Sequence, residues 1–421
     1  MCGIILMGTV LVLMRQQGVA ALDSLWAEDG ALFLQQAQGE HFIDAVLRPY
    51  AGYVHLVPRA LAAIALHLPL ADAAVVMSGG AALVASLVAA FVYFASSGVL
   101  CSRSIRIALS ASVLLAPMAE FETIDNASNL HFLLLFGAFW ALLWVPTRWA
   151  GVLASSTVLA ASALSDPLTV LLVPVAIGRL LAVRTWKSQI QTLVAVCALT
   201  LQAVAVLSTS IRTVPPSSVA DIGILYPLRV LIPALVGARW AEGVWLLLGP
   251  GLALVGALVL CGFLAYVARR PAFPTRVVVY ACVIESLLFF TVSIYIRWGD
   301  WGEALRPIST SLQLALGPRY SVLPILLILA GVACVLDRPD PRWAVATWRK
   351  AEVTVLVLFS FVFGMNFSIS NGRSGGPSWS GAMADALGQC ATSPPGAAVT
   401  VPIAPPGWSV EVPCTLIRPR K

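Results

Sequence analysis

Charge is what this chain has least of. Only 11% of its 421 residues are Asp, Glu, Lys or Arg, under half of the roughly 25% found in ordinary soluble domains. Histidine is scarce, with four in all, and no run of basic residues occurs. These shortages exclude a nucleic-acid binder, which grips phosphate with clustered Lys and Arg. They also exclude a disordered chain, which needs high charge and low hydrophobicity. Missing too are a CxxC pair, a His-rich metal motif, a P-loop and a GxSxG on a strand-to-helix turn, so neither a nucleotide cradle nor a soluble-hydrolase nucleophile is in view.

What abounds is apolar: 59% of residues, with a mean hydropathy of +0.89. A water-soluble fold cannot hide that fraction behind so few charges. The composition predicts an all-α polytopic membrane protein, at ~20 residues per span. Apolar runs give about eleven candidate spans, near 1–20, 72–97, 104–118, 130–146, 148–165, 167–183, 189–210, 243–268, 276–297, 319–336 and 351–370. The first lacks a basic leader and a cleavage site and reads as an anchor. Alternate connections hold the basic residues, among them Arg103, Arg106, Arg184, Lys187, Arg269, Arg270, Arg276, Arg342, Arg349 and Lys350, with few acids such as Asp340. Short basic connections stay cytoplasmic. This predicts a cytoplasmic N-terminus and a C-terminus on the outer, periplasmic or extracellular, side. The acids gather on the other side, as do the long connections 21–71, 211–242, 298–318 and 371–421. Long connections commonly carry function. The expected organisation is a bundle over 1–370, with its site on the outer face around 21–71, and an outer tail over 371–421.

In the 21–71 connection, Asp23 and Ser24 are placed to cap a short helix ending by Gly39. Trp26, Phe33 and Ala37 share one face of it, so the helix is expected to lie in the interface, with the paired carboxylates Glu28 and Asp29 at its start. Such a pair suits general-base or ligand chemistry; it also suits simple compensation of a helix N-terminus. Arg48, Tyr50, Tyr53, His55 and Arg59 follow, and residues 58–67 read as a second interfacial helix. Glu120, Glu122 and Asp125 form a second acidic cluster on the next outer turn. Carboxylates so spaced could share a divalent cation or a sugar hydroxyl, or form a solvated turn. Asp166, before Pro167, reads as a helix cap. Arg319 and Tyr320 open the span at 319–336, where an Arg can clamp phosphate or reach lipid headgroups. Glu285, mid-span, should face the bundle interior or be protonated. Cys390 and Cys414 both fall in the tail, on the side where disulfides persist. They are predicted to pair, stabilising the tail by roughly 3 kcal/mol in the chain-entropy account. Between them, 399–403 and 408–412 read as strands that turn at 404–407.

The layout resembles the GT-C superfamily of integral-membrane glycosyltransferases. The resemblance rests on Glu28-Asp29 soon after the first span, on interfacial helices in that connection, and on Glu120, Glu122 and Asp125 at the second acidic motif. It implies a GT-C-like bundle that transfers a sugar, with inversion, from a polyprenyl-phosphate donor to a cell-envelope glycan or lipid acceptor at the outer face. Membrane lipids and that acceptor would be its partners, and nucleic acid would not. It further implies Asp29 or Glu28 as the base, and Arg319 and Tyr320, with Arg59, His55 and Arg48, around the departing phosphate. The pair here is Glu-Asp where several relatives have Asp-Glu, a strict DxD is missing, and so is the large outer domain of oligosaccharyltransferases. A divalent cation stays an open requirement. More loosely, the chain resembles actinobacterial membrane proteins with a similar tail. The rivals are a transporter or flippase for a lipid-linked sugar or small molecule, which calls for midplane charges and broken helices, and a non-catalytic envelope-assembly protein.

Overall fold

A computed structural model describes residues 2–209, 219–270, 272–338, 344–394 and 396–417. The chain is mostly helical, and it is an integral membrane protein by the length and apolarity of its helices. Among the described residues seven are long and apolar enough to cross a membrane: Val75–Gly98, Arg103–Glu122, Trp186–Leu207, Asp221–Leu248, Gly251–Ala268, Phe273–Ile296 and Arg319–Leu336. Cys2–Leu13, Leu130–Leu143, Trp149–Ala163 and Pro167–Ala182 are apolar but shorter. Leu130–Leu143 is buried on every side apart from its last residue, which marks it as the central post of the bundle. Phe273–Ile296 and Arg319–Leu336 pack along one another. Their contact is pinned where the Ser286 hydroxyl donates to the Pro324 carbonyl (2.9 Å). Leu207, Leu247, Leu254 and Leu258 stay exposed, as side chains against lipid should be.

One stretch departs from the sequence reading. Residues 211–242 are expected to be a loop and 243–268 a single span. Instead a helix begins at Val219, and the Gly249-Pro250 break ends it before Gly251–Ala268. Arg229, Arg239 and Glu242 made this apolar stretch read as a loop. The helix is bent at Gly237, whose φ of +78° favours a residue without Cβ. Asn366 fills the bend, its Oδ1 accepting the Arg239 N–H (2.9 Å). Both arms then reach the same connection. Arg229 Nη1 donates to the Gln313 carbonyl (3.0 Å), Trp245 Nε1 to the Ile308 carbonyl (2.8 Å), and Glu242 accepts the Leu312 N–H (2.8 Å). Gly237 thus kinks the helix. Residues 211–218 of the expected loop, and Asp340 and Arg342 of the basic connection, lie outside the described residues.

The tail is the expected hairpin. Ala398–Ile403 pairs antiparallel with Trp408–Pro413, and Cys390 is bonded to Cys414. Its position corrects the reading of 21–71. The Ala404 N–H donates to the Leu25 carbonyl (3.0 Å) and the Ala27 N–H to the Ala404 carbonyl (2.6 Å). Asp23, expected as a helix cap, accepts the N–H and hydroxyl of Ser380. Trp26, Phe33 and Ala37 are buried, at 7%, 1% and 4% exposure: Trp26 packs with Ala404 of the tail, Phe33 with Tyr50, His55 and Arg59, and Ala37 with Ala45, Val46 and Ala63, so this face meets protein. The second short helix, Leu56–Ala65, forms as expected, with Pro58 in its first turn.

A Cβ at position 237 would lie 2.0 Å from Asn366 Nδ2, whereas one at Gly364 meets nothing within 4 Å. Gly237→Ala should cost about 1–3 kcal/mol and lower the thermal midpoint in detergent by several degrees, while Gly364→Ala leaves it in place. Equal midpoints for the two variants would contradict the bend.

Candidate functional site

Glu28 and Asp29 stand side by side where the chain turns into the helix Asp29–Leu34. Adjacent helical residues point about 100° apart, and the two carboxylates separate accordingly. Asp29 is fully buried. Its Oδ2 accepts the N–H of Ala127 (2.9 Å) and its Oδ1 that of Ser128 (2.8 Å). Both donors belong to the turn leading into Leu130–Leu143, so Asp29 ties the 21–71 segment to the bundle. Burial pushes its carboxyl up to about 7, against the pull of Arg373 and the two amides.

Glu28 turns instead toward Arg319. Its Oε1 lies 4.0 Å from Arg319 Nη1, which lies 2.6 Å from Glu122 Oε1. The three side chains keep 16–21% exposure, and Glu28 Oε2 has no hydrogen-bond partner among the described residues. The Arg319 guanidinium stands over the rings of Trp301 (5.8 Å) and Tyr320 (5.4 Å). Tyr320 meets Phe132 edge to face at 6.2 Å. Arg297 adds a second cation, bonded to Asp300 (3.2 Å) and within electrostatic range of Tyr50, Tyr53, His55 and Asp166.

The other expected site residues go elsewhere. The second acidic cluster does not converge, since its three carboxylates take three directions. Glu122 joins Arg319. Glu120 is paired with Arg15 (3.3 Å), both side chains fully buried. Asp125, at a φ of +53°, turns inward, where burial lifts its carboxyl to about 7. Arg59 is buried beneath the short helices, with Nη2 on Gln36 Oε1 (2.8 Å) and its guanidinium over Phe33 (5.3 Å); its recorded partners bind that segment together and none is at the Arg319 site. Arg48 is paired with Glu40 near the surface. His55 stacks on Tyr53 at 4.0 Å, and burial holds its imidazole well below its usual value, so it is neutral at pH 7 and no phosphate counter-charge. Asp166 caps the following turn, accepting the Leu168 N–H (2.8 Å), and is 3.6 Å from His131 Nε2. Glu285 is buried in the bundle, as its mid-span position requires.

Among the described residues no three of His, Cys, Asp and Glu converge to hold a metal ion. Arg319 already occupies the place between Glu28 and Glu122 where a cation would sit, so the arrangement does not fit a divalent cation. Arg15, Arg297, Trp301 and Arg373 are absent from the sequence-level site. Neither Arg15 nor Arg373 is singled out there. In comparisons with known proteins, no family model matches the chain and no curated protein is significantly similar to it.

The carboxyls of Asp29 and Asp125 keep their protons up to about pH 7 in the fold but lose them near pH 4 when unfolded. The folded state thus binds more protons between those values, and its stability falls as pH rises through that window. The thermal midpoint should decline from pH 5 to pH 8, with a shallower decline in Asp125→Asn. Identical slopes for both proteins would contradict the burial of Asp125.

Proposed function

We propose that the chain is a membrane glycosyltransferase of the GT-C type, transferring a sugar from a polyprenyl-phosphate donor to a cell-envelope glycan or lipid acceptor at the outer face. The observation that carries this reading is the meeting of Glu28, Glu122 and Arg319, from three distant segments, on one partly exposed rim of an apolar bundle. A lipid-borne donor reaches such a rim sideways from the bilayer. Basic connections facing the cytoplasm would leave this rim on the outer side.

The geometry favours Glu28 over Asp29 as the base. Both Asp29 oxygens are engaged by backbone N–H groups, whereas Glu28 Oε2, itself buried, has no hydrogen-bond partner among the described residues. In the proposed step the acceptor hydroxyl oxygen attacks the anomeric carbon and its proton passes to Glu28. The bond from that carbon to the phosphate oxygen breaks on the opposite side, its electron pair leaving with the phosphate, and the anomeric centre inverts. Arg319 faces the departing charge, with Arg297 as the second cation in place of Arg59 and His55. Because Glu122 neutralises Arg319 at rest, donor phosphate has to share the guanidinium with it. Its planar fork, unlike a Lys ammonium, has donors enough for both.

Transport of a lipid-linked sugar is the second reading. The unpartnered Glu285 oxygen and the helix kinked at Gly237 support it.

In nanodiscs supplied with polyprenyl-phosphate sugars, release of polyprenyl phosphate should fall about 100-fold or more in Glu28→Gln with the thermal midpoint unchanged. Arg319→Lys should raise the donor KM. Asp29→Asn should lose both activity and thermal stability. Full activity in Glu28→Gln would remove this mechanism, and sugar uptake into proteoliposomes without polyprenyl phosphate release would favour transport.

A further inference from the structure

One fully buried cation is left unused by the proposed step. Arg15 follows the first helix and is 1% exposed. All three nitrogens of its guanidinium donate. Nε reaches the Phe367 carbonyl (2.7 Å), Nη1 the Leu114 carbonyl (2.6 Å), and Nη2 the Glu120 carboxylate (3.3 Å) and the Ala116 and Asn366 carbonyls (both 3.4 Å). A planar fork joins acceptors that a single ammonium could not reach together. These acceptors lie on two elements: the stretch that leads into and includes the short helix Ala119–Glu122, and the end of the helix Val345–Met365. Asn371, farther along the C-terminal segment, adds a second tie, its Nδ2 donating to the Glu120 carbonyl (2.9 Å). The short helix is entered from Met118 at a φ of +73°, where residues with a Cβ are seldom found, and a single helical turn is unstable alone. Its direction therefore depends on outside anchors. Residues two apart on a helix point about 200° apart. With Glu120 held inward on Arg15, Glu122 faces the other way, where its Oε1 meets Arg319 Nη1 at 2.6 Å.

We propose that Arg15 is a positioning residue: it anchors the Ala119–Glu122 turn by its Glu120 side to the end of Val345–Met365, and the turn so held presents Glu122 to Arg319. The first helix is then part of the site, as the element that carries the guanidinium in. Only the consequence for transfer rests on the glycosyltransferase reading; the anchoring stands apart from it.

Amide hydrogen exchange of the full chain in nanodiscs tests the anchoring. The Thr123 and Ile124 N–H groups close the turn on the Ala119 carbonyl (2.9 and 3.1 Å). In Arg15→Gln both should exchange about tenfold faster or more, while the Ala127 and Ser128 amides, held by Asp29, keep native protection. Arg15→Lys, which keeps the charge but not the fork, should recover part of the protection. Native protection at 123 and 124 in Arg15→Gln would overturn the proposal. So would an equal loss at 127 and 128, since general loosening would then explain the effect, and so would a Lys variant as unprotected as the Gln variant. If Arg15→Gln does not fold, Arg15→Gln/Glu120→Gln, which leaves no bared carboxylate, is read by the same criterion. In the transfer assay, Arg15→Gln should change the donor KM about threefold or more, and should leave it unchanged in a chain that already carries Glu122→Gln, because Arg15 acts through that residue. The same change in both backgrounds would overturn the positioning role. A native chain without transfer activity removes the enzymatic reading, while the exchange comparison still decides the anchoring.

Discussion

The grip of one buried carboxylate on two backbone amides organises this face of the protein. Asp29 accepts from Ala127 and Ser128 at 2.9 and 2.8 Å. Each such hydrogen bond contributes on the order of 1 kcal/mol, and leaving those amides bare in the interior would cost about 1–3 kcal/mol each. The segment after the first helix is thereby locked to the turn before the central Leu130–Leu143 helix. Glu28 is the preceding residue, so the same lock holds its backbone. One carboxylate accepts from two amides, and its neighbour keeps a buried oxygen without a partner beside Arg319.

The same division recurs across the face. Glu120 neutralises Arg15 in full burial, Asp125 turns inward without a hydrogen-bond partner among the described residues, and Glu122 comes forward to Arg319. In so apolar a chain a buried ionised group is costly unless it finds an opposite charge or a ring of donors. The tail belongs to this arrangement: its hairpin adds to the chain at Leu25–Ala27, and the Cys390–Cys414 bond closes the element that covers Trp26.

Much of the fold was legible in the sequence because hydrophobic runs of span length and a paired-cysteine tail are local signals. The strands at 399–403 and 408–412 were readable from alternation and the Pro-Pro-Gly turn. The helix bent at Gly237 was not, since Arg229, Arg239 and Glu242 interrupt its apolar stretch, and the partners of Arg229 and Glu242 lie 84 and 70 residues on, in the 308–316 connection. Glu28, Asp29 and Arg319 could be singled out as candidates from residue type and place. Their division of roles could not, because it turns on which side of one helical start faces inward. The spread of Glu120, Glu122 and Asp125 was equally hidden, because Arg15 and Arg319 are remote in sequence and the left-handed backbone at Asp125 leaves no trace in composition.

The central claim is that residues 28, 122 and 319 share one water-facing rim. Paired cysteines test it most directly, in a chain whose Cys2, Cys101, Cys197 and Cys261 are replaced by serine. In sealed vesicles of known orientation, Glu28→Cys and Arg319→Cys should both react with a membrane-impermeant maleimide from the same side, and the double variant should cross-link through a short bifunctional reagent. Labelling of the two positions from opposite sides, or no cross-link despite labelling of both, would contradict the account.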